Sequence, residues 1–186
     1  MGHAMPLTLE TPRLRLRPLA AADLPDLLRL DRDPEVMRYV GSPAGVKSEA
    51  ETAARALARI RETEAGQHEP LGFWCVEARA DASFLGVAAL IRMPDGDDVE
   101  VAYRLARAAW GQGIATEAAG ALVAHGLRTI GLPRLVAVTY LENRASQGVL
   151  DKLGFERRGL VEYKGVQTTF HVLTREAWSA RDGRRD

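Results

Sequence analysis

The stretch from Val99 to Thr116, VEVAYRLARAAWGQGIAT, constrains the fold more than any other part of the chain. Val99, Val101, Tyr103 and Leu105 alternate with Glu100, Ala102 and Arg104, the period of two that gives a strand unlike faces. Trp110-Gly111-Gln112-Gly113-Ile114-Ala115 then breaks the strand. From Ala115 the apolar residues recur at helical spacing, through Ala118, Ala119, Leu122, Val123, Leu127 and Ile130. A glycine turn that feeds a helix start exposes backbone N–H groups with no partner inside the helix. Those donors and the positive helix end suit a phosphate or pyrophosphate. The expectation is that the turn holds a diphosphate and that the strand before it carries the chemistry.

The rest of the chain supplies the frame. Leu7–Glu10 and Arg13–Arg17 read as one interrupted first strand, bounded by Pro12 and Pro18. A helix is expected over Ala21–Asp31, with Asp23 as its cap and Pro25 near its start. A short helical turn follows from Pro34, and a loop spans Gly41–Gly45. Ser48 and Glu51 form a capping box that opens a helix to about Ala65, with a thin apolar face of Ala50, Ala53, Ala54, Leu57 and Ile60. Such a face suits an ordinary surface helix first and a helix at the rim of a cleft second. Phe73–Ala78, Phe84–Arg92 and Val99–Leu105 make a three-stranded antiparallel meander. The next helix runs from Thr116 to Ile130 and leads to a buried strand, Leu135–Thr139, parallel to Val99–Leu105. A helix from Asn143 to about Leu153, two strands around Lys164-Gly165 and a closing turn at Arg175–Ala180 complete the order. The fold class is α/β, a mixed, mostly antiparallel sheet with one parallel splayed pair and helices on both faces. Ligands bind where neighbouring parallel strands diverge, here between Val99–Leu105 and Leu135–Thr139.

A length of 186 residues favours one domain, residues 1–186. Met1–Ala4 reads as a cloning remnant, because Met5-Pro6 also makes a sensible start, and Asp182–Asp186 as a frayed end. Lys+Arg and Asp+Glu balance at 25 each, which argues against a nucleic-acid partner. No apolar run is long enough to span a bilayer, so no membrane partner is expected. The single cysteine, Cys75, fits a reducing cytoplasm. The histidines show no metal-ligand spacing, and no metal is expected. The turn is no nucleotide P-loop, which needs a lysine after its last glycine. It is no dinucleotide fingerprint either, because Thr116 stands at the third glycine position.

Three stretches together resemble the GCN5-related N-acetyltransferase (GNAT) superfamily. Val99–Leu105 followed by Trp110–Ala115 is similar to its acetyl-CoA pyrophosphate turn, Gln/Arg-x-x-Gly-x-Gly/Ala, with Gly113 and Ala115 at the small positions. Trp110 replaces the commoner Gln or Arg, and Trp-Gly-x-Gly-x-Ala-Thr-Glu-Ala resembles the RimJ/RimL-type subfamily that acetylates N-termini of ribosomal proteins. Asn143-Arg144-Ala145-Ser146 leading to Leu153-Gly154-Phe155, and Glu10–Arg17, resemble that subfamily's second motif and first strand.

The resemblance implies transfer of an acetyl group from acetyl-CoA to an amine, either a protein N-terminus or a small molecule. Glu100 is the candidate general base, through an ordered water; its plainer reading is a solvated strand residue. Tyr103, Arg104 and Leu105 would pair with the pantetheine through backbone, and Gly111, Gln112, Gly113, Ile114, Ala115 and Thr116, with Trp110 beside them, would hold the pyrophosphate. Glu117 should point away from it. Many relatives carry a tyrosine at the position of Leu150, which has no proton to give. Ser146 then becomes the candidate donor to the leaving thiolate, unless it only caps its helix, and Asn143 a cofactor contact. Tyr39 and Trp74 are candidate substrate-binding residues, although core packing suits Trp74 equally. The acceptor is to be sought around Tyr39, the helix from Ser48 and the late hairpin. The resemblance also suggests a homodimer. The rival reading is a non-catalytic acyl-CoA-binding sensor with the same fold.

Overall fold

The computed structural model describes residues 7–40, 48–66, 70–94 and 96–182. The expectations for residues 1–4, for the loop at 41–45 and for residues 183–186 fall outside these. The strands are β1 (Leu9–Glu10), β2 (Leu14–Pro18), β3 (Gly72–Ala78), β4 (Phe84–Arg92), β5 (Val99–Leu105), β6 (Arg134–Tyr140), β7 (Glu156–Tyr163) and β8 (Val166–Thr174). They form one sheet in the order β1-β2-β3-β4-β5-β6-β8-β7. The helices are α1 (Leu24–Arg32), α2 (Pro34–Met37), α3 (Glu49–Glu64), α4 (Ile114–Ala124), α5 (Arg144–Leu153) and α6 (Arg175–Asp182).

Alternation along the strands sorts the apolar side chains into two cores. Trp74, Val76, Ala88, Leu90, Val99, Val101 and Leu105 pack against α4, α5 and α6 on one face. Cys75 and Val87 pack against α1, α2 and α3 on the other. The meander β3-β4-β5 forms as expected, and β4 pairs with β5 from Gly86↔Leu105 to Arg92↔Val99. The pair β5-β6 is parallel and registered at Glu100↔Val136 alone, beyond which the two strands diverge.

Four local expectations are corrected. Leu9–Glu10 and Leu14–Pro18 are two paired strands, because a turn in which Leu14 N–H donates to Thr11 Oγ1 at 2.9 Å and Thr11 N–H to Leu14 O at 2.9 Å reverses the chain. The first helix opens with a 3₁₀ turn at Ala21–Asp23, and Asp23 does not cap it. Its carboxylate instead accepts both terminal nitrogens of Arg17, at 2.7 and 2.8 Å, and the N–H of Ala20. The capping box of Ser48 and Glu51 is present, but of the expected apolar face of α3 only Ile60 is buried, joined by Ala56 and Thr63, while Ala50 and Ala54 are exposed. The α-helix after the glycine turn ends at Ala124 and widens into a π turn at His125–Thr129, where Ile130 N–H reaches back to His125 O.

Gly86 lets β4 approach the end of β5. It sits at φ +151°, and a Cβ there would lie 2.2 Å from Arg104 O. Gly86→Ala should therefore cost about 2–5 kcal/mol, from backbone strain and overpacking together; a urea melt of the variant that matches wild type would refute the close approach.

Candidate active site

The divergence of β5 from β6 opens a cleft of about 620 Å³. Ala106 N–H bonds to Leu85 O on the β4 side. By strand alternation the backbone groups of Arg104 also face β4, whereas those of Tyr103 and Leu105 face the gap. Leu105 O is already taken, by the indole N–H of Trp110 at 2.8 Å. Tyr103 and the N–H of Leu105 thus present an unpaired strand edge to the cleft, and Arg104 does not.

At the end of β5 the chain passes through a 3₁₀ turn at Arg107–Ala109 into Trp110–Gly113. Gly111 and Gly113 both sit in the left-handed region, at φ +72° and +76°, which side-chain-bearing residues avoid. The first helical bond of α4 runs from Glu117 N–H to Gly113 O. The N–H groups of Ile114, Ala115 and Thr116 are left without an intrahelical acceptor, and these residues line the cleft. A Cβ on Gly111 would meet nothing within 4 Å. The turn is thus shaped by backbone conformation, and a Cβ on Gly113 would meet only Arg13 Nη2, at 3.6 Å.

The turn is braced from behind. Glu117 accepts from Thr11 Oγ1 at 2.6 Å, from Arg13 N–H at 2.9 Å and from Arg13 Nε at 2.6 Å. Arg13 Nη1 donates in turn to Gln112 O at 3.0 Å. Glu117 therefore points away from the cradle, as expected. Gln112 is also committed locally, its amide donating to Ala108 O at 2.6 Å, and it does not line the cleft.

Glu100 lies at the point of divergence and is 6% exposed. Tyr163, at the end of β7, donates to its Oε2 at 3.1 Å. Burial raises the proton affinity of Glu100; the Tyr163 hydroxyl and the nearby charge of Lys164 act the other way, and the net shift is upward. Glu100 is therefore no solvated strand residue. On the opposite side of the splay Tyr103 and Ser146 share a hydrogen bond of 3.0 Å between hydroxyls. Burial pushes the Tyr103 phenol up to about 12. Asn143 caps α5, its Oδ1 accepting the N–H of Ser146 at 3.1 Å. Leu150 is buried in the core.

Tyr39 reaches the cleft, its ring 5.7 Å from that of Tyr140. Trp74 does not. It is 4% exposed in the core under α4, its indole N–H donating to Leu7 O and its ring edge-on to His125. Cys75 is fully buried, off the cleft, with its thiol pushed up to about 12 by burial and by Asp23. Among the described residues no group of three His, Cys, Asp or Glu side chains is placed to hold a metal ion, and no helix is long and apolar enough to cross a membrane. Sequence reading missed Tyr163, Tyr140, Arg55 and Arg59. The last two line the cleft from α3, which places that helix at the rim after all. Their spacing of four on a helix with a thin apolar face was the available signal.

Comparison with known proteins fits this geometry. Residues 13–156 match the family model described as an acetyltransferase (GNAT) domain. The chain is 28% identical over 155 residues to an uncharacterized N-acetyltransferase, YoaA, of Bacillus subtilis, covering 82% of this chain and 85% of that protein. It is 30% identical over 155 residues to an uncharacterized N-acetyltransferase, p20, of Bacillus licheniformis, covering 83% and 85%. Its fold is similar to that of RimL, a ribosomal L7/L12 alpha-N-protein acetyltransferase solved in complex with coenzyme A, with a TM-score of 0.73, 21% identity and coverage of 90% and 98%.

Glu117 ties the N-terminal strands to the turn, so Glu117→Gln should destabilise the protein by about 1–2 kcal/mol at neutral pH. Burial alone would raise the Glu117 carboxyl, but Thr11 and Arg13 hold it below its ordinary value. Its contribution is therefore present above an unfolded pKa of about 4.3 and is lost as pH falls through the lower folded value. Wild type and variant should converge in acid; a constant gap in thermal stability across pH would remove the ion pair as the cause.

Proposed function

Because the chain belongs to the GNAT acetyltransferase family, we propose that it moves an acetyl group from acetyl-CoA directly to a primary amine. The observation that carries the reading is Glu100, a desolvated carboxylate at the mouth of a strand splay, with its proton affinity raised and a tyrosine hydroxyl on its oxygen. In this reading residues 1–186 form one acetyltransferase domain.

Acetyl-CoA supplies the acetyl group as a thioester, activated towards an amine. The N–H groups of Gly111 and of Gly113 to Thr116 suit its pyrophosphate, and the free edge at Tyr103 and Leu105 suits the pantetheine amides. Trp110 fixes that edge through Leu105 O. Asn143 holds the start of α5, and so the position of Ser146. An amine is protonated at neutral pH, with a pKa of roughly 8 for an α-amino group and 10.4 for lysine. Glu100 takes that proton, directly or through one water, and its raised pKa brings it nearer the operating range of a base. The paired hydroxyls of Ser146 and Tyr103 return a proton to the sulfur. A thiol pKa of about 8.5 demands little help there. Tyr103 thereby places a phenol near the position that Leu150 leaves without one. Buried Cys75 takes no part, which fits direct transfer.

The acceptor is a protein N-terminus, as the name of RimL states for that protein, or a small amine. Tyr39, Tyr140 and the hairpin at Lys164 border its approach. The reading includes a cytoplasmic location, a homodimer, and neither nucleic acid nor membrane as partner. A sensor that only bound acyl-CoA would have no use for a desolvated carboxylate.

Thiol release from acetyl-CoA with a panel of primary amines tests the reading; binding of acetyl-CoA without release across the panel would sink it. Glu100→Gln should lower kcat/KM by about a hundredfold or more and abolish the acid-side ionisation in its pH profile. Tyr163→Phe removes the hydroxyl that favours the carboxylate, so its acid limb should move to higher pH. An unmoved limb would remove Tyr163 as a tuning group. Gly113→Val should weaken coenzyme A binding at least tenfold, about 1.4 kcal/mol, through lost backbone approach. Unchanged binding in calorimetry would refute the pyrophosphate assignment.

A further inference from the structure

Glu100 and Arg104 share the face of β5 that α1 and α3 cover, opposite the face that packs against α4. Arg104 pairs in register with Val87, a residue of the α1–α3 core. Its Nη2 lies 2.8 Å from Asp31 Oδ1, and Arg59 Nη1 lies 3.4 Å from Asp31 Oδ2. Asp31 is 5% exposed. Arg55, one turn before Arg59 on α3, also lines the cleft and adds its charge to both other guanidiniums. Glu62 opposes Arg59 from α3. Three guanidiniums thus meet two carboxylates, and the excess is positive.

The Arg104 side chain is 10% exposed, and its Nε is buried without any acceptor. A charged donor in that condition costs free energy until an acceptor arrives. Burial, and then the neighbouring Arg59, bring the Arg104 guanidinium down to about 10, so it is still charged at neutral pH. The electrostatics of the pocket therefore favour an incoming anion. The phosphates of coenzyme A are the less suitable candidate, because the cradle for them opens at the start of α4, on the other face.

We propose that Arg104, Arg59 and Arg55 recognise an anionic group on the acceptor, so that the substrate class is an amine and a carboxylate separated by several bonds. This rests on the acetyl-transfer reading above. Arg104 lies four residue steps beyond Glu100, about 13 Å along the strand. A free α-amino acid, with both groups on one carbon, is too short to use the base and the cluster together. An ω-amino acid spans it, as does an amino terminus followed closely by an acidic side chain.

Two matched pairs test this with the full-length protein: ε-aminocaproate against hexylamine, and Ala-Asp-Ala amide against Ala-Asn-Ala amide. In at least one pair the acid should show a KM lower by about tenfold or more, the scale of a charge-assisted hydrogen bond. The pair that carries the ratio distinguishes a small acid from a peptide. Arg104→Gln should abolish the ratio. Arg55→Gln, which leaves both ion pairs of Asp31 intact, should reduce it without loss of the fold, and neither variant should alter the Kd of coenzyme A by more than about twofold. Equal KM values within both pairs, or a loss that falls alike on acid and neutral partner, would overturn the proposal. Calorimetric binding of the same compounds beside coenzyme A separates the two readings. Carboxylate-dependent binding without thiol release keeps the anion site and removes acetyl transfer. Thiol release indifferent to the carboxylate keeps acetyl transfer and removes the anion site.

Discussion

The structure depends on two neighbouring strands that fail to stay together. β5 is held along its length by β4, and β6 along its length by β8. Between them there is one registered pair, Glu100↔Val136. Each strand follows its own twisted neighbour, and the parallel seam parts between them. Every element of the site follows from that parting. The edge of β5 is unsatisfied because β6 has left it. Glu100 stays buried because it sits where the seam is still closed, and it opens onto the cleft because the seam parts there.

Alternation then assigns different work to the two faces of β5. Tyr103 points towards α5 and meets Ser146, whereas on the other face Arg104 meets Asp31 of α1 and Glu100 meets Tyr163 of β7. In the proposed reaction the thiol side and the amine side are therefore separated by the thickness of a single strand. A period of two in seven residues, VEVAYRL, suffices to set this up.

That division was legible in the sequence, and so was most of the order of elements. Glycines at 111 and 113 announce a turn because only they adopt those backbone angles at little cost. The strand register of the meander follows from apolar alternation. Legibility fails where long-range pairing decides. The ion pair of Asp23 with Arg17 overrides its local cap, and the burial of Trp74 under α4 overrides its aromatic promise at a cleft. Tyr163 reaches Glu100 from 63 residues away, across two intervening strands, and no local pattern encodes that. Arg55 and Arg59 look like solvated helix charges until Asp31 and Arg104 are placed beside them.

The brace of Glu117 on Thr11 and Arg13 has a consequence for assembly. The hydroxyl of Thr11 meets a carboxylate 106 positions later in the chain. Hairpins such as β3-β4 close small loops and form early, whereas this contact closes a loop of most of the protein. On a growing polypeptide the first strands emerge long before their partner exists. The glycine turn thus gains its brace only when the first strands and the start of α4, far apart in the chain, have come together.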